Sequence, residues 1–233
     1  MSKNKLQRFE EIGEFENVLE LTDFQSEQNK KPKGEWREKV FKNPHPITVE
    51  LACGKGEYTL ELARRNPDQN FIGIDIKGAR IWKGAKRALE QKLENVRFLR
   101  IYIDHLHEYF APEEIDEFWI TFPDPYPRDS NSSKRLSSPK FLSIYQKVLA
   151  KDGIINFKTD SDSLFTFTKE VVSKTECIIL DIVEDVYAER PDDPMLTIQT
   201  FYEKKHLEAG KTIHFIKFKL PVIPLNGLIG IKC

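Results

Sequence analysis

The sequence predicts an α/β fold: a doubly wound, mostly parallel sheet with helices on both faces and an antiparallel edge near the C-terminal end. Three observations predict it. Short apolar, strand-like runs alternate five times with segments whose apolar residues recur at helical spacing. The first alternation turns on a pair of glycines, Gly54 and Gly56. The last regular stretch, TIHFIKFKLP (212–221), alternates apolar and polar residues as an edge strand does.

In chain order, ITVELACG (47–54) is a strand ending at glycine, and EYTLELARR (57–65) has helical periodicity. NFIGIDI (70–76) is again a strand, and KGARIWKGAKRALEQKL (77–93) is an amphipathic helix pattern. VRFLRIYI (96–103), EFWITF (117–122) and IINFKT (154–159) continue the strands; KFLSIYQKVLA (140–150) and SLFTFTKEVVSK (163–174) continue the helices. Residues 1–46 are polar, with few apolar positions in any period, and read as a partly helical, partly mobile arm; residues 47–233 read as one domain. Within the arm, Lys30, Lys31, Lys33, Arg37, Lys39 and Lys42 face only Glu35 and Glu38, a local excess of positive charge.

The chain has 233 residues, 39% hydrophobic and 31% charged, the balance of a water-soluble globule with length enough for a real core. Net charge is −1, so a polyanionic partner must be met by a local patch. Cys53, Cys177 and Cys233 lie far apart without a CxxC pair, which argues against a disulfide framework or a zinc site and fits a reducing, cytoplasmic setting best. No metal centre is expected, and the five histidines show no ligand spacing. The start MSKNKLQRFEE lacks a signal peptide's apolar centre, and no apolar run reaches membrane-spanning length.

Gly54 and Gly56 stand directly between a strand and a helix, where glycine permits a tight turn and close approach of a ligand, and the helix N-terminus beyond favours an anionic group. Asp75 ends the next strand, about twenty residues on, the place from which an acid binds a ribose hydroxyl pair. A dinucleotide site needs a third glycine; here the run is GKGEYT and Thr59 takes that position. Glu50 lies inside the first strand, where an acid requires a partner. A sulfonium or ammonium group answers that need, so the pattern favours S-adenosylmethionine over a nicotinamide.

EFWITFPDPYPR places Asp124 between Pro123 and Pro125, with Tyr126 and Pro127 following, at the carboxyl end of the fourth strand. Each proline fixes its own φ and restricts its predecessor, so the acid is held rigidly beside an aromatic face, an arrangement suited to a planar heterocycle. The loop RDSNSSKRLSSPK carries Arg128, Lys134, Arg135 and Lys140, cations able to meet phosphates and, with the arm, to favour RNA. Asp160 in NFKTDSDS ends the fifth strand, either a site acid or a helix cap; Thr200 in TIQTFYEKK reads as a helix cap.

These motifs together resemble the tRNA (guanine-N7)-methyltransferase family of the bacterial single-chain type, from about Ile47 to Leu220. The resemblance rests on VELACGKGEY, GIDIKGAR, FPDPYP with its KR-L loop, FKTD and TFYEKK. It implies the Rossmann-like fold of class I S-adenosylmethionine-dependent methyltransferases and methyl transfer to N7 of a guanosine in the tRNA variable loop. Glu50, Gly54, Gly56 and Asp75 then correspond to cofactor contacts, and Asp124 to an acid between cofactor and base. Asp160, Thr200, Phe201, Tyr202 and Glu203 correspond to the substrate side, with Lys134 and Arg135 as phosphate contacts. Arg128 stands where the family has lysine. The family's acid near the adenine falls at Tyr102, with Asp104 two residues on; either residue is a candidate. The resemblance implies tRNA as partner, no membrane, and a monomer or homodimer with no obligate protein partner. Another RNA, or a small molecule, is the alternative substrate.

Overall fold

The computed structural model describes residues 5–20, 31–222 and 225. Eight strands form one sheet: β1 (Val18–Glu20), β2 (Ile47–Leu51), β3 (Asn70–Ile74), β4 (Val96–Arg100), β5 (Ile115–Thr121), β6 (Leu149–Thr159), β7 (Ile178–Val183) and β8 (His214–Lys219). Their order is β1-β4-β3-β2-β5-β6-β8-β7. All neighbours from β1 to β6 run parallel; β8 is antiparallel to both β6 and β7. Strands β2 and β3 are buried along their whole length, as expected of a parallel sheet covered on both faces.

The helices are α1 (Lys5–Ile12), α2 (Glu57–Arg65), α3 (Gly78–Glu90), α4 (Leu106–Tyr109), α5 (Pro139–Gln146), α6 (Asp162–Lys174), α7 (Val186–Glu189) and α8 (Phe201–Glu208). Two apolar cores lie on opposite faces: one gathers Phe118, Tyr145, Phe157 and Phe165, the other Tyr58, Ile81, Phe98 and Phe215. The strand order reverses beside β2, with β3 on one side and β5 on the other. Ligands bind at such a switch point, outside the carboxyl ends of the strands.

Three elements depart from the sequence pattern. The helix expected over 140–150 stops at Gln146, because Leu149 and its successors join β6. The strand at the C-terminal edge of the sheet is β7, whose Ile178, Ile179 and Leu180 are exposed and so show no alternation to read. The described part of the arm is packed on the domain: β1 extends the sheet beyond β4, and Phe15 stacks on Trp82 of α3 at 6.4 Å. Trp36 is fully buried, lies 5.0 Å from Phe110 in a stacked pair, and donates its indole N–H to the Tyr109 carbonyl. One buried tryptophan outweighs the polarity of its neighbours: truncating it to alanine costs about 3–5 kcal/mol. Residues 1–4 and 21–30, on which the expected mobility partly falls, lie outside the described residues.

Candidate active site at the carboxyl edge of the sheet

The glycine turn after β2 has left-handed backbone at Ala52 (φ 56°), Gly54 (φ 58°) and Gly56 (φ 65°). The two glycines serve different ends. A Cβ on Gly56 would lie 2.6 Å from the Phe98 ring, so that glycine lets the turn seat on the core. A Cβ on Gly54 would meet nothing within 4 Å, so its bare backbone faces open space. Its amide donates to Asp75 Oδ2 at 3.0 Å, while Asp75 Oδ1 accepts from the Lys77 amide at 2.8 Å, which fixes the acid at the tip of β3.

Glu50 is 3% exposed. The sequence leaves it needing a cationic partner, and the fold supplies neutral ones instead: Oε2 accepts the Thr59 amide (2.8 Å) and hydroxyl, and Oε1 accepts the Thr121 hydroxyl (2.8 Å). Thr59, at the third-glycine position, therefore ties α2 to β2. Burial nevertheless pushes the Glu50 carboxyl up to about 7, against these hydrogen bonds.

After β5 the backbone again turns through positive φ, at Phe122 (50°) and Tyr126 (43°). For non-glycine residues this costs of order 1 kcal/mol or more each, and such strain clusters at functional sites. Arg135 holds the turn from beneath. Its guanidinium is buried, lies 4.3 Å over the Phe167 ring, and donates to the carbonyls of Pro125 (3.2 Å) and Tyr126 (3.0 Å). The expected phosphate contact is thus a brace, because a planar fork of donors matches adjacent carbonyls. Asp124 itself is exposed, and its carboxylate has no partner among the described residues.

Two clefts adjoin here, sharing Ala52, Arg80 and Phe122. The larger, about 380 Å³, brings together Asp75, Tyr102, Asp104, Asp124, Tyr126 and Lys134. The smaller contains Glu50, Gly54, Lys55, Thr200 and Tyr202. Both candidates for the adenine side, Tyr102 and Asp104, line the larger cleft; Tyr102 is 61% exposed and Asp104 is ion-paired to Lys140. Gly56, Arg128, Arg135, Asp160, Phe201 and Glu203 do not line either cleft.

Asp160, at the tip of β6, is paired with Lys211 and lies 3.3 Å from His206 Nδ1, whose ring stacks on Phe122. Glu203 has a task the sequence pattern does not show. It is 0% exposed, and its Oε1 contacts Lys158 Nζ at 2.6 Å, with both side chains out of solvent. Tyr187 donates its hydroxyl to the same carboxylate at 2.8 Å, and the Lys158 ammonium also donates to the Leu196 carbonyl. Burial pushes the Glu203 carboxyl up and the Lys158 ammonium down, while their attraction opposes both shifts. Glu203 therefore fastens α8 to β6, and Thr200 caps the helix by accepting the Glu203 amide. Phe201 and Tyr202, on the first turn, are left exposed. The sequence pattern misses Lys158 as a partner; the only signal is a lysine in an otherwise buried stretch of strand.

The arm's cations are mostly engaged: Lys31 with Glu108 (2.6 Å), Arg37 with Asp116 (2.6 Å), Lys39 with Glu35 (2.5 Å), and Lys33 with the His107 carbonyl (2.7 Å). Lys30 lies outside the described residues. Among the described residues there is no cluster able to hold a metal ion, and no helix is long and apolar enough to cross a membrane.

A family model described as "Putative methyltransferase" matches residues 44–216. The tRNA (guanine-N(7)-)-methyltransferase of Christiangramia forsetii is 50% identical over 94% of this chain and 99% of its own length. The chain belongs to the tRNA (guanine-N7)-methyltransferase family. The protein of the same name from Bacteroides thetaiotaomicron is 42% identical over 95% of this chain and 87% of its own. The fold is also that of more distant methyltransferases. The crystal structure of the 16S rRNA methyltransferase KamB superposes with a TM-score of 0.63 at 13% identity, covering 83% of this chain and 96% of that one. The structure of an antibiotic-related methyltransferase gives 0.61 at 17%, covering 85% and 97%.

Proposed function

We propose that this enzyme transfers the methyl group of S-adenosylmethionine to N7 of a guanosine in tRNA, in the variable loop, giving 7-methylguanosine. The observation that carries the site assignment is Asp124: a rigidly held carboxylate, unpartnered among the described residues, where two clefts adjoin. The clefts fit the cofactor. Gly54 presents bare backbone, Asp75 offers its fixed carboxylate to the ribose, and Tyr102 gives a flat face at the rim. When bound, the cofactor supplies an electrophilic methyl on a sulfonium.

N7 of guanine carries a free lone pair, so no general base is needed before attack. The chain's contribution is alignment and electrostatics. Asp124 accepts hydrogen bonds from the guanine edge and favours the positive charge arriving on the purine. Asp160 joins it once Lys211, the solvent-exposed member of their ion pair, yields. Tyr202 lines the smaller cleft, with the Phe201 ring edge-on beside it. We place the reaction in the cytoplasm, with no obligate protein partner.

The test is direct. Purified protein is incubated with methyl-labelled S-adenosylmethionine and bulk tRNA, and the RNA is digested to nucleosides. Label in 7-methylguanosine is expected; label in another nucleoside, or none, refutes the proposal.

A further inference from the structure

We propose that the first turn of α8 and the glycine turn facing it form a nucleotide platform: Phe201 and Tyr202 stack a base next to the target guanosine, and Lys55 and Lys205 hold that nucleotide's phosphate. The inference rests on the RNA reading above and adds a location that the arm and the proline loop do not supply.

Phe201 and Tyr202 are 45% and 50% exposed, and their rings meet edge to face at 5.6 Å. Adjacent exposed aromatics of this kind are what sequence-tolerant base stacking requires. The ammonium groups of Lys55 and Lys205 lie 4.3 and 4.8 Å from the centroid of the same Phe201 ring. Neither makes an ion pair among the described residues. Glu57, which follows the glycine turn, is turned to other donors: it accepts the Phe201 amide at 2.7 Å and lies 3.9 Å from Arg87. Two like charges gathered around one ring repel each other, and an anion seated between them relieves the repulsion. Lys31, Arg37 and Lys39, by contrast, must each give up a carboxylate before meeting a phosphate.

The platform is also rigid and well placed. Glu57 ties α8 to the glycine turn, Thr200 caps the helix, and the buried Lys158–Glu203 pair anchors it below. Lys55 and Tyr202 line the small cleft, which shares a wall with the cleft holding Asp124. A strand whose guanosine enters at Asp124 continues across this turn, and little backbone freedom remains to be lost there on binding.

The experiment measures tRNA affinity across a salt series for the wild type, for Lys55→Ala with Lys205→Ala, and for Lys147→Ala with Lys151→Ala as a control on a distant groove. The double platform variant is expected to lower the slope of log K against log salt by roughly 1 to 2 and to weaken binding roughly tenfold, while the control keeps the wild-type slope. Phe201→Ala is expected to raise KM for tRNA roughly tenfold with the slope unchanged. Should Lys55→Ala fail to fold, Lys205→Ala alone is expected to lower the slope by roughly 0.7 to 0.9 with S-adenosylmethionine affinity unchanged. An unchanged slope in a folded platform variant of an active enzyme overturns the platform alone. A lost S-adenosylmethionine affinity with an unchanged slope does so too, and assigns Lys55 to the cofactor. A wild type that makes no 7-methylguanosine refutes the underlying reading instead.

Discussion

Asp124 and Glu203 belong to the same edge of the sheet, yet the molecule holds them in opposite ways. Asp124 is exposed, and its side chain meets no donor among the described residues; its position comes from the backbone, through Pro123, Pro125 and the Arg135 brace. Glu203 is buried, and its position comes from its side chain, through Lys158 and Tyr187. The difference separates two kinds of acid that a motif presents alike. A carboxylate sealed from solvent, whose partners all belong to the fold, holds the scaffold. One that is fixed in place but open to solvent and unpartnered among the described residues is ready for a ligand. Glu50 belongs with Glu203 on this criterion, and Asp75 stands between, with both oxygens accepting amides at the cleft wall.

The largest effect should come from breaking the buried pair. Glu203→Gln keeps the volume but leaves the Lys158 charge uncompensated, and one Glu203 oxygen already lacks a partner. Loss of one member of such a pair costs about 3–5 kcal/mol. The urea midpoint should fall accordingly at constant m-value, and Lys158→Met added to Glu203→Gln should recover part of the loss. An unchanged midpoint would move Glu203 back to the substrate side.

Glu50 gives the next largest effect, visible as pH dependence. Its carboxyl titrates at about 7 in the folded chain against an ordinary value of 4.5, so between these values the native state holds the proton more tightly than the unfolded one. Stability from this group is therefore full below about 4.5, falls as pH rises toward 7, and is level above; the span is about 3 kcal/mol. Subtracting the stability curve of Glu50→Gln from that of the wild type should isolate a decline over that window. A difference that does not change with pH would show that Glu50 is ionised throughout, as an acid facing a permanent cation would be.

Asp124→Ala should do the reverse of Glu203→Gln. With no hydrogen bond or ion pair to lose among the described residues, its melting temperature should match the wild type, while kcat on tRNA drops on the order of 10²-fold, about 2.7 kcal/mol, the scale of a lost aligning or charge-stabilising group. Wild-type turnover in this variant would remove the acid from the reaction.

How far the sequence reveals these roles depends on what fixes each residue. Period and punctuation mark β2, α2, β3 and α3, because their burial is continuous or strictly one-sided, and the glycines and prolines mark the turns at the strand tips. β1 and β7 escape because three residues, or an exposed edge, carry too little pattern. The acids lining the clefts are legible by position. Their partners are not, because Lys158 lies 45 positions from Glu203 in the chain, and only the folded sheet and helix bring them to 2.6 Å. Arg135 is misjudged for a related reason: its neighbour Lys134 has the same charge and is exposed, and nothing in the residues KR tells which one turns inward.

That adjacent pair allows the finest version of the comparison. Lys134 is exposed on the rim of the larger cleft, and Arg135 is buried under the proline turn. Removing Lys134 takes one cation from the path of a phosphate and nothing from the fold. Lys134→Ala should therefore lower the salt slope of tRNA binding by roughly 1 or less, with kcat and melting temperature unchanged. Arg135→Lys keeps the charge but loses the fork, so its salt slope should stay put while kcat falls, because the turn carrying Asp124 loosens. Equal salt slopes for both variants and the wild type would remove Lys134 as a phosphate contact. A kcat loss confined to Lys134→Ala would mean that the rim, not the brace, positions the acid.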